Sequence, residues 1–206
     1  MEKPAENQYP IHELIRRRWS PRAMSDKPVD AATLRSLFEA ARWAPSSYND
    51  QPWRFIVATK ENPGKFDRML QCLVKVNIEW VRHACVLMIA VAKSISDRTG
   101  EPNRHAFHDV GLAIENLMLQ AFDFGLYAHP MGGFDVDKTR EVYNIPEDYE
   151  PVTAIAIGYP GEPEILPDFL RKIESGPRER RPLTEFVFSG NWGQISPIVE
   201  KQDSKE

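Results

Sequence analysis

A chain of 206 residues, 42% apolar and 27% charged, has the composition of an ordinary globular protein and enough length to bury a core without disulfide or metal staples. Its net charge of −4, from 26 basic and 30 acidic residues, argues against a nucleic-acid surface, which needs a basic excess. Two cysteines are too few for a disulfide framework or zinc site, nothing at the N-terminus resembles a signal peptide, and the nine apolar residues from Ala84 to Ala92 fall short of the roughly 20 that span a bilayer; a cytoplasmic protein with no membrane and no nucleic-acid partner is expected.

Residues 1–10 are polar and expected to be loose. Ile11, Leu14 and Ile15 share a helical face, and the cations Arg16 to Arg18 fall in that helix's last turn, where they complement its dipole. Pro21 ends the helix. The segment R-R-W-S-P-R therefore turns into a loop with Arg18, Ser20 and Arg22 close enough to converge on one anion, although arginines at a helix end also serve as caps. Asp30 is an N-cap for a helix whose Leu34, Leu37, Phe38 and Ala41 face a core.

That helix delivers the chain to Trp43–Trp53, W-A-P-S-S-Y-N-D-Q-P-W. Pro45 and Pro52 restrict both ends of a stretch too polar for a core and too aromatic for a solvated turn. It reads as a binding loop, or more plainly as a rigid helix-to-strand connection with a tryptophan anchor. Arg54 to Thr59 is expected as a strand, Asn62 to Leu73 as a helix and Cys85 to Val91 as a buried strand. Between them, Asn77 and Trp80 read as a cap and its neighbour before they read as a site.

The longest helix is expected from Asn103 to Phe124, apolar around most of its girth and so central or at a subunit interface. His105 and His108 lack a third metal ligand beyond Asp109 and read as solvent-facing. Gly125 ends this helix. In L-Y-A-H-P-M-G-G-F, Gly132 and Gly133 bare the backbone, as a flat ligand or a tight turn requires. A short helix from Asp135 and a strand from Val152 to Tyr159 follow, for three or four strands in all. The last strand-like piece, Phe186 to Trp192, reads as an added strand reaching onto a partner subunit, and residues 194–206 as a disordered tail.

No G-x-G pair, G-K-[ST], G-x-S-x-G, H-E-x-x-H or C-x-x-C occurs, which leaves nucleotide-fold, zinc, acyl-transfer and redox-thiol chemistry without a motif. What remains is an anion site, two loops rich in backbone donors and several aromatics, suited to a planar phosphorylated cofactor that brings its own chemistry.

Three stretches in this order, R-R-W-S-P-R-A-M, A-R-W-A-P-S-S-Y-N-D-Q-P-W-R-F and H-P-M-G-G-F, resemble the nitroreductase family of FMN-dependent oxidoreductases over about residues 11–192. The resemblance implies an α+β sandwich, a central, mainly antiparallel sheet flanked by helices, as one domain over residues 11–193 in an intertwined homodimer with FMN at the interface. It implies that Arg18, Ser20 and Arg22, with the Trp19 backbone, hold the phosphate and ribityl chain. The Pro45, Ser46, Ser47, Asn49 and Gln51 loop would close on the partner's flavin. Asn77 would meet its pyrimidine edge, and Pro130, Met131, Gly132 and Gly133 would set a backbone amide at its reactive nitrogen. Arg178 and Arg180 match a late basic pair at the phosphate, with Arg181 one register away. No side chain is implied as an obligatory acid or base, and no metal. The implied reaction is ping-pong hydride transfer from NADPH or NADH to an electron-poor acceptor such as a nitro compound, quinone or enone; a flavin-holding protein with little turnover and a reductive dehalogenase of the same fold are the alternatives. Gly132, where many members carry an acid, and Trp80, where some carry lysine, depart from the family pattern and bear on substrate class.

Overall fold

The computed structural model describes residues 2–200. These residues fall into two compact units that divide between Gly176 and Pro177.

The first unit is built on a four-stranded sheet of β1 (Trp53–Thr59), β2 (Val86–Lys93), β3 (Tyr127–Met131) and β4 (Tyr149–Gly158), ordered β1-β2-β4-β3 and antiparallel throughout. Helices α1 (Glu13–Arg17), α2 (Ala31–Arg42), α3 (Pro63–Leu70), α4 (Lys75–Val81), α5 (Ala106–Asp123), α6 (Val136–Tyr143) and α7 (Asp168–Ser175) complete the α+β fold. Among the described residues no helix is long and apolar enough to cross a membrane.

The continuous apolar run of β2 has a simple cause. Successive side chains of a strand point to opposite faces, and both faces here are covered. Val86, Met88, Ala90 and Ala92 join a cluster with Leu37 and Ala41 of α2 and Val110, Ile114 and Leu117 of α5. Leu87, Ile89 and Val91 join a second cluster with Phe66 and Met69 of α3 and Trp80 of α4. Each large aliphatic side chain buried this way contributes about 1.5–3 kcal/mol relative to exposure. The β2–β4 register slips between Ala90 and Val91, opposite Thr153 and Pro151. Pro151 has no N–H for the ladder, and a bulge is where a strand tolerates that. Pro130 is placed on the edge strand β3 for the same reason.

Local signals set several boundaries as expected. Asp30 Oδ1 accepts the Thr33 N–H (2.8 Å), Asp135 Oδ1 that of Lys138 (2.9 Å), and Asn62 caps a helix with Pro63 in its first turn. Other elements differ. The helix expected from Asn62 to Leu73 stops at Leu70, and α4 starts afresh at Lys75 because Leu73 leaves to bridge Phe134. Helix α5 starts at Ala106 instead of Asn103, whose side chain accepts the His105 N–H (3.0 Å). Residues 127–131, read as loop, form β3. Within the segment expected to be loose, Ala5 donates its N–H to Arg16 O (2.7 Å) and Lys3 Nζ donates to the carbonyls of Glu174 and Gly176.

In the second unit, Leu183–Glu185 is a turn of 3-10 helix, and Phe188 pairs with Ile195 by a single bridge. The strand expected over Phe186 to Trp192 is not formed among the described residues, since the segment turns at Gly190 (φ 78°) and Phe188 packs edge-on against Trp192. Of the expected tail, Ser196 donates its N–H to Val187 O (3.1 Å); residues 201–206 lie outside the described residues.

Candidate functional site

The segment after α1 presents cations without a helix to hold them. Arg18 is the C-cap of α1, its N–H bonded to Leu14 O (2.9 Å), and Pro21 prevents another turn. Its guanidinium Nη1 approaches Ser20 Oγ at 3.5 Å. Arg18 Nε is buried without a hydrogen-bond partner, the nearest carboxylate oxygen being Glu115 Oε1 at 3.7 Å. A buried donor of this kind calls for an acceptor, and a guanidinium beside a hydroxyl is a donor set suited to phosphate. Arg22 turns to Glu174, whose Oε2 lies 3.8 Å from Nη1. Trp19 is buried, edge-on to Tyr127 (ring centroids 6.2 Å).

The same segment is tied to β3. His129 Nδ1 lies 2.9 Å from Pro21 O, and its ring packs on Trp80 (4.7 Å between centroids). Burial, opposed by the Pro21 hydrogen bond, pushes the imidazole down to about 4 from its usual 6.5. It is therefore neutral at pH 7 and donates from Nδ1. Strand β3 then runs through Pro130 and Met131 into the glycine pair, and here the two glycines part company. A Cβ on Gly132 would meet nothing within 4 Å, whereas one on Gly133 would lie 2.4 Å from Asn77 Nδ2 and 2.9 Å from Val74 Cγ2. Gly133 is thus required by α4; Gly132 leaves its backbone approachable. Asn77 is no helix cap. Its Nδ2 donates to Gly133 O (2.9 Å) and its Oδ1 accepts from Trp80 Nε1 (3.2 Å), so its amide joins α4 to the glycine turn.

The loop from Trp43 to Trp53 is tied by hydrogen bonds within itself and to its surroundings. Trp53 is buried, while Trp43 is 74% exposed. Tyr48 (φ 52°), Asn49 (φ 59°) and Gln51 (φ 45°) are left-handed, a conformation that strains residues other than glycine. Ser46 Oγ accepts the Gln51 N–H (3.1 Å) and Gln51 Nε2 donates to Asn49 O (3.3 Å). Two acids, one in the loop and one on α5, tie it to its surroundings. Asp50 Oδ2 accepts from Ser96 Oγ (2.7 Å) and Asn103 Nδ2 (3.4 Å), and buried Asp109 accepts the Ser47 N–H (2.9 Å).

Sequence reasoning missed Asp109, Glu115, His129 and Glu174 as parts of the site. Asp109 entered only as a metal candidate, yet its second oxygen faces His108 Nδ1 (2.9 Å); among the described residues no group of three or more His, Cys, Asp or Glu is placed to hold a metal. Burial pushes the Cys72 and Cys85 thiols up, away from thiolate reactivity. In the second unit, Arg178 is half-buried and Arg180 and Arg181 exposed; Arg180 Nη1 donates to Glu179 O (2.7 Å) and Arg181 pairs with Glu185 (3.5 Å).

Residues 15–159 match the model of the Nitroreductase family. A solved structure described as an oxidoreductase containing FMN is 34% identical, with a TM-score of 0.85 over 91% of this chain and 95% of that one. A provisionally named NAD(P)H nitroreductase of Streptococcus pyogenes is 28% identical over 180 residues, 73% of this chain and 90% of that protein. An iodotyrosine deiodinase of Haliscomenobacter hydrossis is 24% identical over 176 residues, 73% of this chain and 79% of that protein.

Proposed function

Because the chain belongs to the nitroreductase family, we propose that it is an FMN-dependent oxidoreductase that draws on NADPH or NADH to reduce electron-poor acceptors such as nitro compounds, quinones or enones. FMN, held by the residues named below, would supply the redox chemistry, a ping-pong hydride exchange between nicotinamide donor and acceptor.

The chain's own residues bind and orient. The observation that carries the reading is the buried, acceptorless Arg18 Nε beside Ser20. In this reading Arg18 and Ser20 take the phosphate with Arg22 and the Trp19 backbone. The approachable backbone of Gly132, with Pro130, Met131 and Gly133, faces the ring, and Asn77 holds that turn while keeping one amide proton for the pyrimidine edge. The loop carrying Pro45, Ser46, Ser47, Asn49 and Gln51 closes on the flavin of a second copy. Its strain and its two acid anchors keep it preorganised, so little ordering entropy is lost on binding. No acid–base side chain is assigned; orientation and backbone donors carry the protein's contribution.

A homodimer belongs to the reading. Ile11, Ile15, Phe107 and Phe124 are each more than 40% exposed, large apolar side chains of the kind that a second copy would cover. A cytoplasmic setting accords with two free cysteines. The test is an absorption spectrum of the purified protein before and after NADPH or NADH without oxygen. A flavin spectrum that bleaches is expected. A bound flavin that stays oxidised with both donors would favour a holding protein, and no flavin uptake after incubation with FMN would sink the assignment.

A further inference from the structure

Glu174 is 2% exposed, on helix α7, beyond the residues that match the family model. A carboxylate removed from water this completely must be compensated by donors. Its Oε1 accepts the backbone N–H groups of Arg22 (2.8 Å) and Ala23 (3.0 Å), and its Oε2 lies 3.8 Å from the Arg22 guanidinium. One side chain thus holds both the backbone and the charged end of Arg22. Oε2 makes no hydrogen bond within the protein, and neither does Trp19 Nε1; both residues line a cavity of about 10 Å³. The helix end that carries Glu174 is itself held, through the Lys3 ammonium on the carbonyls of residues 174 and 176.

We propose that Glu174 is a positioning residue for the anion-binding segment 18–22, setting the Arg22 backbone and guanidinium so that Arg18, Ser20 and Arg22 serve one phosphate. This rests on the reading above that the segment takes the FMN phosphate. Glu174 is no ligand: as a buried anion it would repel a phosphate directly and acts through Arg22. A glutamine could accept the two N–H groups, but only a carboxylate also pairs with the guanidinium, which makes Glu174→Gln the discriminating variant.

The experiment compares FMN with riboflavin, the same ring system without the phosphate, by titrating the flavin-free full-length protein and following flavin fluorescence. Thermal melting of each variant checks its fold. Glu174→Gln is expected to bind FMN about tenfold more weakly and riboflavin within about twofold of wild type. Unchanged FMN affinity would overturn the proposal, and so would equal weakening of both flavins, which marks a merely structural residue. If Glu174→Gln does not fold, Glu174→Asp carries the same comparison, because its shorter arm keeps the charge but withdraws it from the two N–H groups. Wild type binding FMN no tighter than riboflavin would instead defeat the phosphate reading, and this proposal with it.

Discussion

Asp109 and Ser47 are 62 positions apart, and the carboxylate of the first accepts the backbone N–H of the second at 2.9 Å. Helix α5 thereby fixes a loop in which three non-glycine residues hold left-handed backbone angles. Asp109→Ala leaves the Ser47 N–H without its acceptor, and a loss of about 1–3 kcal/mol in unfolding free energy is expected. Amide exchange over residues 46–51 should quicken more than in β2. Asp109→Asn, which keeps an acceptor oxygen, should lose less. Urea unfolding and exchange rates equal to wild type in the alanine variant would show that the loop holds itself.

Arg18 is contested. Glu115, about half exposed, lies 3.7 Å from its Nε, where the phosphate is proposed to bind. Removing the acid by Glu115→Gln should tighten FMN binding by a modest factor, roughly two- to fivefold at low salt, because solvent around the half-exposed Glu115 holds the pair to about 1 kcal/mol or less. Raised salt should shrink the difference by screening. Weaker binding in the variant would mean that Glu115 supports Arg18 instead of competing for it.

The glycine pair offers an internal control. Gly133→Ala forces a methyl group into Asn77 and Val74 and should destabilise the fold by about 1–3 kcal/mol through overpacking. Gly132→Ala meets open space and should leave the melting temperature nearly unchanged while weakening flavin binding. A stable, fully FMN-competent Gly132→Ala protein would count against a ring lying on that backbone.

His129 makes stability depend on pH in a known direction. Its folded value, about 4, lies below the ordinary 6.5, so the unfolded chain binds the proton more readily. The stabilisation from this residue is complete above pH 6.5 and is lost as pH falls from 6.5 towards 4, at up to about 1.4 kcal/mol per pH unit. His129→Asn, which retains a donor for Pro21 O, should flatten that part of the curve. Denaturant midpoints between pH 7 and pH 4.5 would decide, and parallel curves for both proteins would exclude His129 as the source.

Much of the fold was legible because its causes are local. Asp30, Asn62 and Asp135 cap helices whose starts follow from one side chain meeting an N–H three residues on. The apolar run of β2 announced a buried strand. Where Leu73 leaves its helix to bridge Phe134, and where residues 127–131 became an edge strand, the deciding partner is distant in sequence and periodicity carries no trace of it.

The sequence by itself determined the family, through three ordered motifs, and with it the α+β class. It also placed the arginines at a helix end and the prolines around the 43–53 loop, because backbone restriction and helix termination act within a few residues. Only the tertiary structure decided which of these groups are held and by what: Asp109 on Ser47, Asn77 on Gly133, His129 on Pro21 and Glu174 on Arg22, 152 positions away. Each is an acceptor or donor whose partner is supplied by chain topology. A carboxylate in a short helix looks the same in sequence whether it faces water or lies buried against two backbone N–H groups.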